Sequence, residues 1–296
     1  MRNFDETNIT SAVLERVGHA SSPRTRQISA ALVRHLHDFV REIEPTQAEW
    51  AAAIEFLTRT GHMCSQTRQE FILLSDALGV SMLVDAINHR LPGKATETTV
   101  LGPFYVEAVP EHALGDDISG GMAGEPLLVE GTVSRIDGTP IAGAVVDCWH
   151  TDGNGFYDVQ GRAGLERLAG RARFRTEARG NFWFRSIVPA SYPIPDDGPV
   201  GDMLKAQGRH PFRPAHVHFM IGHPGCETLV THIFLAGNQY LDSDVVFGVK
   251  DSLIRALDRQ EAGTTARGNR VDTAMAALRY DFVLADVPDA RPQQTG

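Results

Sequence analysis

The segment Arg213-Pro214-Ala215-His216-Val217-His218-Phe219 holds two histidines one residue apart. On a strand, side chains at i and i+2 leave the same face, so His216 and His218 would project together. Such a pair can bind one metal ion through two imidazole nitrogens, or can be satisfied by ordinary hydrogen bonds. Two of the chain's five tyrosines weigh on that choice. Tyr157 ends Gly153-Asn154-Gly155-Phe156-Tyr157, and Tyr192 opens Tyr192-Pro193-Ile194-Pro195, both loop-like settings rich in Gly or Pro. Imidazole suits iron, and an anionic oxygen suits a hard, highly charged cation. A metal also favours loss of a phenolic proton whose ordinary pKa is about 10. Two phenolates and a hydroxide would cancel the charge of ferric iron, and that neutral set could be buried.

The elements that must position these residues change character along the chain. Residues 1–91 read as helical: Ile28, Leu32, Leu36, Phe39, Val40 and Ile43 form one apolar stripe. Thr46 and Glu49 have the spacing of a capping box for a second helix, with Trp50, Ile54 and Leu57 on its stripe and Gly61 as its stop. Two shorter helices are expected over 65–77 and 79–90. Residues 92–125 form a connector punctuated by Gly and Pro, within which Thr99–Val106 is an apolar run that could be a strand. From 126 the period becomes that of strands. A hairpin is expected at Asp137-Gly138, and strands over Leu127–Ile136, Ala144–Trp149, Phe174–Glu177, Asn181–Ile187, His216–Ile221, Thr228–Leu235 and Tyr280–Leu284. A helix is expected over Val245–Asp258, and a polar Pro/Gln tail follows the last strand. The fold class is therefore α+β: a helical domain over 1–91, a connector over 92–125 and a β-sandwich over 126–296.

Bulk properties exclude several classes. The chain has 296 residues, 42% hydrophobic and 22% charged, with a formal net charge of -9, which argues against a general nucleic-acid binder. Cys64, Cys148 and Cys226 form no CxxC pair, as in a reduced, cytoplasmic protein. No signal peptide and no apolar run long enough to insert in a membrane are visible.

Three segments together resemble the intradiol ring-cleaving dioxygenases, non-haem ferric enzymes of the catechol and hydroxyquinol type. They are the run from Gly138 to Tyr157, the segment Tyr192-Pro193-Ile194-Pro195 with Gly198-Pro199-Val200-Gly201, and Arg213–Phe219. The resemblance runs from about Glu70 to about Leu253. It implies one Fe(3+) per subunit, held by Tyr157, Tyr192, His216 and His218. It implies that a vicinal ring diol binds through both oxygens and displaces Tyr192, and that O2 then opens the ring to a cis,cis-muconate. Arg213 would face the substrate as a fixed cation. Leu73, Asp76, Val100, Gly102, Pro103, Phe104, Ile194, Pro195 and Val246 would line the substrate pocket. It further implies a homodimer through the N-terminal helices, with a phospholipid bound between subunits.

Leu101 departs from the glutamate usual in catechol-cleaving relatives, and Leu73–Ala86 resembles the hydroxyquinol-cleaving members. A carboxylate at Asp76 could accept a hydrogen bond from a third ring hydroxyl, which catechol lacks. Taken alone, Asp76 would more simply be a helix or turn cap. The expected reaction is cleavage of benzene-1,2,4-triol to 3-hydroxy-cis,cis-muconate, the enol form of maleylacetate, with catechol or a chlorocatechol as the alternative substrate. A cupin-like site or a non-catalytic β-sandwich binding module is the reading from another class. The cupin spacing fails, since the next acid after His218 is Glu227. Among the other histidines, His150, His210 and His223 are expected outside the metal site. His232 is expected in the core or beside the ligands, where catechol-cleaving relatives often carry glutamine.

Overall fold

The computed structural model describes residues 2–65, 68–160 and 168–287. The expected tail at 288–296 lies outside them. By internal contacts the chain forms two compact units, Met1–Arg59 and Thr60–Gly296. The helices are α1 (Ile9–Val17), α2 (Pro23–Ile43), α3 (Gln47–His62), α4 (Glu70–Ala77) and α5 (Val80–Asn88). Thus α4 and α5, which periodicity groups with the helical segment, belong to the second unit.

Local chemistry explains the helix starts. Ser22 caps α2 by accepting the Thr25 N–H, and Pro23 occupies the first turn, where its missing N–H costs nothing. Thr46 and Glu49 form the reciprocal capping box: Thr46 N–H donates to Glu49 Oε2 at 2.8 Å, and Glu49 N–H to Thr46 Oγ1 at 3.2 Å. In the first unit α2 buries no residue. Ile28, Leu32, Leu36, Phe39, Val40 and Ile43 stay 49–57% exposed along one face.

The second unit continues with β1 (Pro126–Arg135), β2 (Val145–His150), β3 (Arg171–Arg175), β4 (Asn181–Ile187) and β5 (Tyr192–Pro193). Helix α6 (Pro199–Ala206) comes next. It is followed by β6 (Phe212–Arg213), β7 (His216–Gly222), β8 (Leu229–Leu235), β9 (Ile254–Arg255), β10 (Asp258–Gln260), β11 (Gly263–Thr264), β12 (Arg270–Val271) and β13 (Met275–Leu284). One sheet runs β10-β13-β1-β4 and the other β3-β2-β7-β8-β9. The core between them takes alternate residues of both, such as Leu127, Val129 and Val133 from β1, Leu278 and Phe282 from β13, and Val217, Phe219 and Ile221 from β7. In β7 that alternation leaves His216 and His218 on the face opposite the sandwich core.

Three expectations fail and a fourth holds only over a short stretch. Val245–Asp258 is not a helix. Gly248 N–H is taken by the Asp244 carboxylate, Asp251–Leu253 is a single 3-10 turn, and the chain then enters β9 and β10. The Asp137-Gly138 hairpin does form, with Gly138 at φ 88 and Ser134 bridged antiparallel to Pro140, but it is short, and β2 does not continue along β1. Instead β1 pairs antiparallel with β4 and parallel with β13, and β2 joins the other sheet. Thr99–Val106 forms no strand, and β3 begins at Arg171 rather than Phe174.

Candidate active site

Three strands converge on the histidine pair. In register, His218 of β7 lies opposite Trp149 of β2 and His232 of β8. Trp149 stacks on His218 with ring centres 4.5 Å apart at 16°. The His216 ring is fixed by its backbone neighbour: Nδ1 lies 2.6 Å from the Pro214 carbonyl, which can only accept. Nδ1 therefore carries the proton, and the Nε2 lone pair points away from the backbone.

The tyrosines arrive from two loops that pass in close contact. Asp152 Oδ1 accepts the N–H groups of Asn154 and Phe156, each at 2.9 Å, and so folds the turn before Tyr157. Gly155 sits at φ 85, and a Cβ there would lie 2.7 Å from the Ser191 carbonyl oxygen and 3.1 Å from Tyr192 Cβ. Only glycine lets these two loops approach so closely. Tyr192 is held opposite Arg213 by the β5–β6 pair. A buried pair beside the centre, Asp158 with Arg171, ties down the segment after Tyr157, and Arg171 also donates to the Phe104 carbonyl at 2.9 Å.

Tyr157, Tyr192, His216 and His218 are all 2% exposed or less. Tyr157 Oη lies 2.9 Å from His218 Nε2, and His218 Nε2 lies 3.0 Å from His216 Nε2. The two tyrosine rings are perpendicular at 5.2 Å, and Tyr192 lies 5.7 Å from the His216 ring. Burial holds the His216 imidazole far below its ordinary range, at about 3, and Arg213 adds to that shift. Burial also depresses His218 and raises the Tyr157 phenol, with the Tyr192 oxygen reinforcing the latter. Lone pairs and acidic protons thus face one another in a dry space, the arrangement a bound cation would resolve. The donor set fits a hard trivalent metal.

His232 also lies within reach, since one ring nitrogen from each of His216, His218 and His232 falls within 4.8 Å of the others. Its chemistry argues against a ligand role. Its Nδ1 is 3.3 Å from Arg213 Nη2, and arginine only donates. The remaining proton of the neutral ring is then on Nε2, which is buried with no hydrogen-bond partner, and no lone pair is left for a metal. His150 is outside the centre, its nitrogens 2.7 Å from the Thr151 carbonyl and 2.8 Å from Ser186 Oγ, and burial lowers it to about 4. His210 contacts Ser243.

The other residues read from the sequence occupy two adjoining clusters. Leu73, Ile194 and Val246 share an apolar cluster against which Val100 packs. Phe104 stacks on Tyr157 at 4.4 Å. A Cβ on Gly102 would lie 3.2 Å from His218 Cε1. Pro103 is exposed and Pro195 half-buried, next in the chain to Gly102 and Ile194. Asp76 is not a cap but a buried carboxyl of the last turn of α4. Its desolvation raises it above 3.8 against a hydrogen bond from Ser81, and the charges of Arg213 and Asp244 reach it. Asp244, Asp158 and Arg171 escape sequence reasoning, because each is an ordinary charged residue whose partner is distant in the chain.

A β-sandwich carrying two tyrosines and two histidines around one buried point offers the donor set of a metal-dependent enzyme, and known proteins resemble the chain over its whole length. Residues 100–286 match the family model described as Dioxygenase, and residues 22–96 match Catechol dioxygenase N terminus. The 6-chlorohydroxyquinol 1,2-dioxygenase of Cupriavidus pinatubonensis is 55% identical, covering 96% of this chain and 99% of the relative. The hydroxyquinol 1,2-dioxygenase of Nocardioides simplex is 50% identical, covering 95% of each. The solved hydroxyquinol 1,2-dioxygenase of Pseudomonas putida DLL-E4 superposes with a TM-score of 0.90 at 46% identity, over 95% of this chain and 99% of that one. The chain belongs to the intradiol ring-cleaving dioxygenases.

Proposed function

We propose that this enzyme cleaves hydroxyquinol, benzene-1,2,4-triol, with O2 to 3-hydroxy-cis,cis-muconate, the enol form of maleylacetate. The observation that carries the substrate assignment is the buried Asp76 carboxyl, within the electrostatic reach of Arg213. A triol offers it a hydroxyl donor in addition to Ser81, and catechol has no third hydroxyl to supply that second bond. The names of the relatives at 50–55% identity support the same substrate, and the first of them supports a chlorinated triol as a second one. Catechol and chlorocatechol remain the alternative substrates to be tested.

In this reading Tyr157, Tyr192, His216 and His218 hold one ferric ion per subunit. Bound there, the ion withdraws electron density from a coordinated ring diol and makes the ring reactive toward oxygen. The protein residues do the rest. Tyr192 would be the oxygen donor able to take a proton from the incoming diol. Arg213 places a fixed positive charge where the ring gains negative charge. Phe104 and Trp149 pack against Tyr157 and His218 and exclude water. Leu73, Val100, Gly102, Pro103, Ile194, Pro195 and Val246 form the wall that orients the ring. The exposed stripe of α2 pairs two subunits through the helices of residues 1–91, with room for a phospholipid acyl chain along the same apolar surface. Residues 92–125 serve as the connecting wall and the β-rich remainder as the catalytic domain. Three unpaired cysteines fit a cytoplasmic enzyme. Among the described residues no helix is long and apolar enough to cross a membrane.

The test is oxygen uptake by iron-loaded protein with hydroxyquinol and catechol at matched concentrations, after subtracting protein-free autoxidation. A strong preference for hydroxyquinol is expected. A preference for catechol would overturn the substrate, and no uptake with either would return the fold to the binding-module reading.

A further inference from the structure

Arg213 is 2% exposed, and its contacts are unequal. Nε donates to Asp244 Oδ1 at 3.1 Å and Nη2 to Asp244 Oδ2 at 3.3 Å, a side-on pairing of guanidinium and carboxylate. Nη2 also meets His232 Nδ1 at 3.3 Å. Nη1 is left turned to the centre, 3.5 Å from His216 Nε2. The carboxylate is itself held: Gly248 N–H donates to Oδ2 at 2.9 Å and Val246 N–H to Oδ1 at 3.4 Å. A Cβ on Gly248 would lie 3.0 Å from Arg213 Nη2 and 3.2 Å from Asp244 Oδ2, so any side chain at residue 248 would press on this pair.

We infer that Asp244 is a positioning residue for ring cleavage, which with His232 commits Nε and Nη2 of Arg213 and leaves Nη1 to donate to an anionic oxygen of the bound ring. The inference rests on the ring-cleavage reading above. Asp244 touches neither substrate nor metal; it acts through Arg213. A free guanidinium in a pocket can present any of its five N–H groups, and a bidentate partner on one side removes that freedom. The carboxylate also balances the buried charge, so the arginine contributes a direction without an uncompensated cation beside the ligands.

The test uses the iron-loaded enzyme. Asp244→Asn keeps the shape and removes the charge. Its iron content and resting visible absorption are expected to match the wild type, and anaerobic binding of hydroxyquinol to change less than about threefold. The rate of the oxygen-dependent step in a single turnover should fall about 100-fold, the scale of loss when a reacting group is misplaced by an ångström. Gly248→Ala, which pushes on the same contact from outside, should lower that rate while iron content holds. A rate within about threefold of wild type in Asp244→Asn, or a loss that simply tracks missing iron in both variants, would overturn the inference. Wild-type enzyme that consumes no oxygen with either diol would remove the ring-cleavage reading itself, before any variant is compared.

Discussion

At Asp76 function and stability pull in opposite directions. Burial raises its carboxyl above the ordinary 3.8. The unfolded chain therefore loses that proton first as pH rises. Folding is penalised from just above 3.8 upward, and the full cost is reached above the folded value. Asp76→Asn should raise the Tm at pH 8, with a gain that shrinks as pH is lowered toward 4, as thermal scans would show. Asp76→Ala should lower the hydroxyquinol-to-catechol ratio of kcat/KM by about 10–100-fold, the worth of one buried hydrogen bond. An unchanged ratio would remove the specificity role. The cluster of two histidines and two tyrosines proposed to hold iron was legible at this scale because its spacing is local: two histidines at i and i+2, and two tyrosines in short Gly/Pro loops. The residues that hold Arg213 and Phe104 in place were not. Asp244 lies 31 positions from Arg213 and Asp158 lies 13 from Arg171, and nothing in a charge's own neighbourhood names a distant partner.

Elements decide whether the two tyrosines meet at all. Gly155 combines a positive φ with a 2.7 Å clearance to the Ser191 carbonyl oxygen, so Gly155→Ala must push apart the loops that carry Tyr157 and Tyr192. The expected outcome is at least a tenfold weaker hold on iron, read as loss of the tyrosinate-to-iron absorption at fixed iron concentration. In α2, the row from Ile28 to Ile43 is far too apolar for a face left to water. With two subunits paired through α2 as proposed, Leu36→Glu should yield a monomer in sedimentation experiments while α2 keeps its helical signal; a wild type that is already monomeric would refute the pairing. Strand periodicity was readable where one face is buried, as in β4, and helix periodicity in α2 from an apolar stripe that stays exposed in the single chain. It misled over 245–258, where the Asp244 carboxylate captures a backbone N–H and the apolar run wraps the active site without coiling. At Asp137-Gly138 the hairpin is as expected but short, because β2 after it crosses to the other sheet.

Across the molecule, four buried imidazoles share one consequence. His150, His216, His218 and His232 all sit below their ordinary value of 6.5, mainly through burial, with His150 at about 4 and His216 at about 3. A histidine held neutral in the fold binds its proton later than the unfolded chain does. Stability is therefore complete above about 6.5 and falls progressively as pH drops toward 4 and below. Urea midpoints of the iron-free protein should be flat from pH 8 to 7 and decline clearly by pH 5. A flat profile to pH 5 would mean that these rings are protonated in the native state.

The parallel pairing of β1 with β13 has a consequence for synthesis. Thr132 bonds Asp281 across 149 residues. At translation rates of about 5–20 residues per second, β1 leaves the ribosome roughly 7–30 s before the strand that covers its second edge. During that interval the nascent chain presents an open, apolar strand edge built on Leu127, Leu128 and Val129. Strands β2 and β7, which carry the histidines and their stacking partner, emerge within the same window with half of the sandwich still missing. Yield in a heterologous host should thus depend on elongation speed and chaperone supply, and the iron proposed for this site would be taken up after the chain is finished.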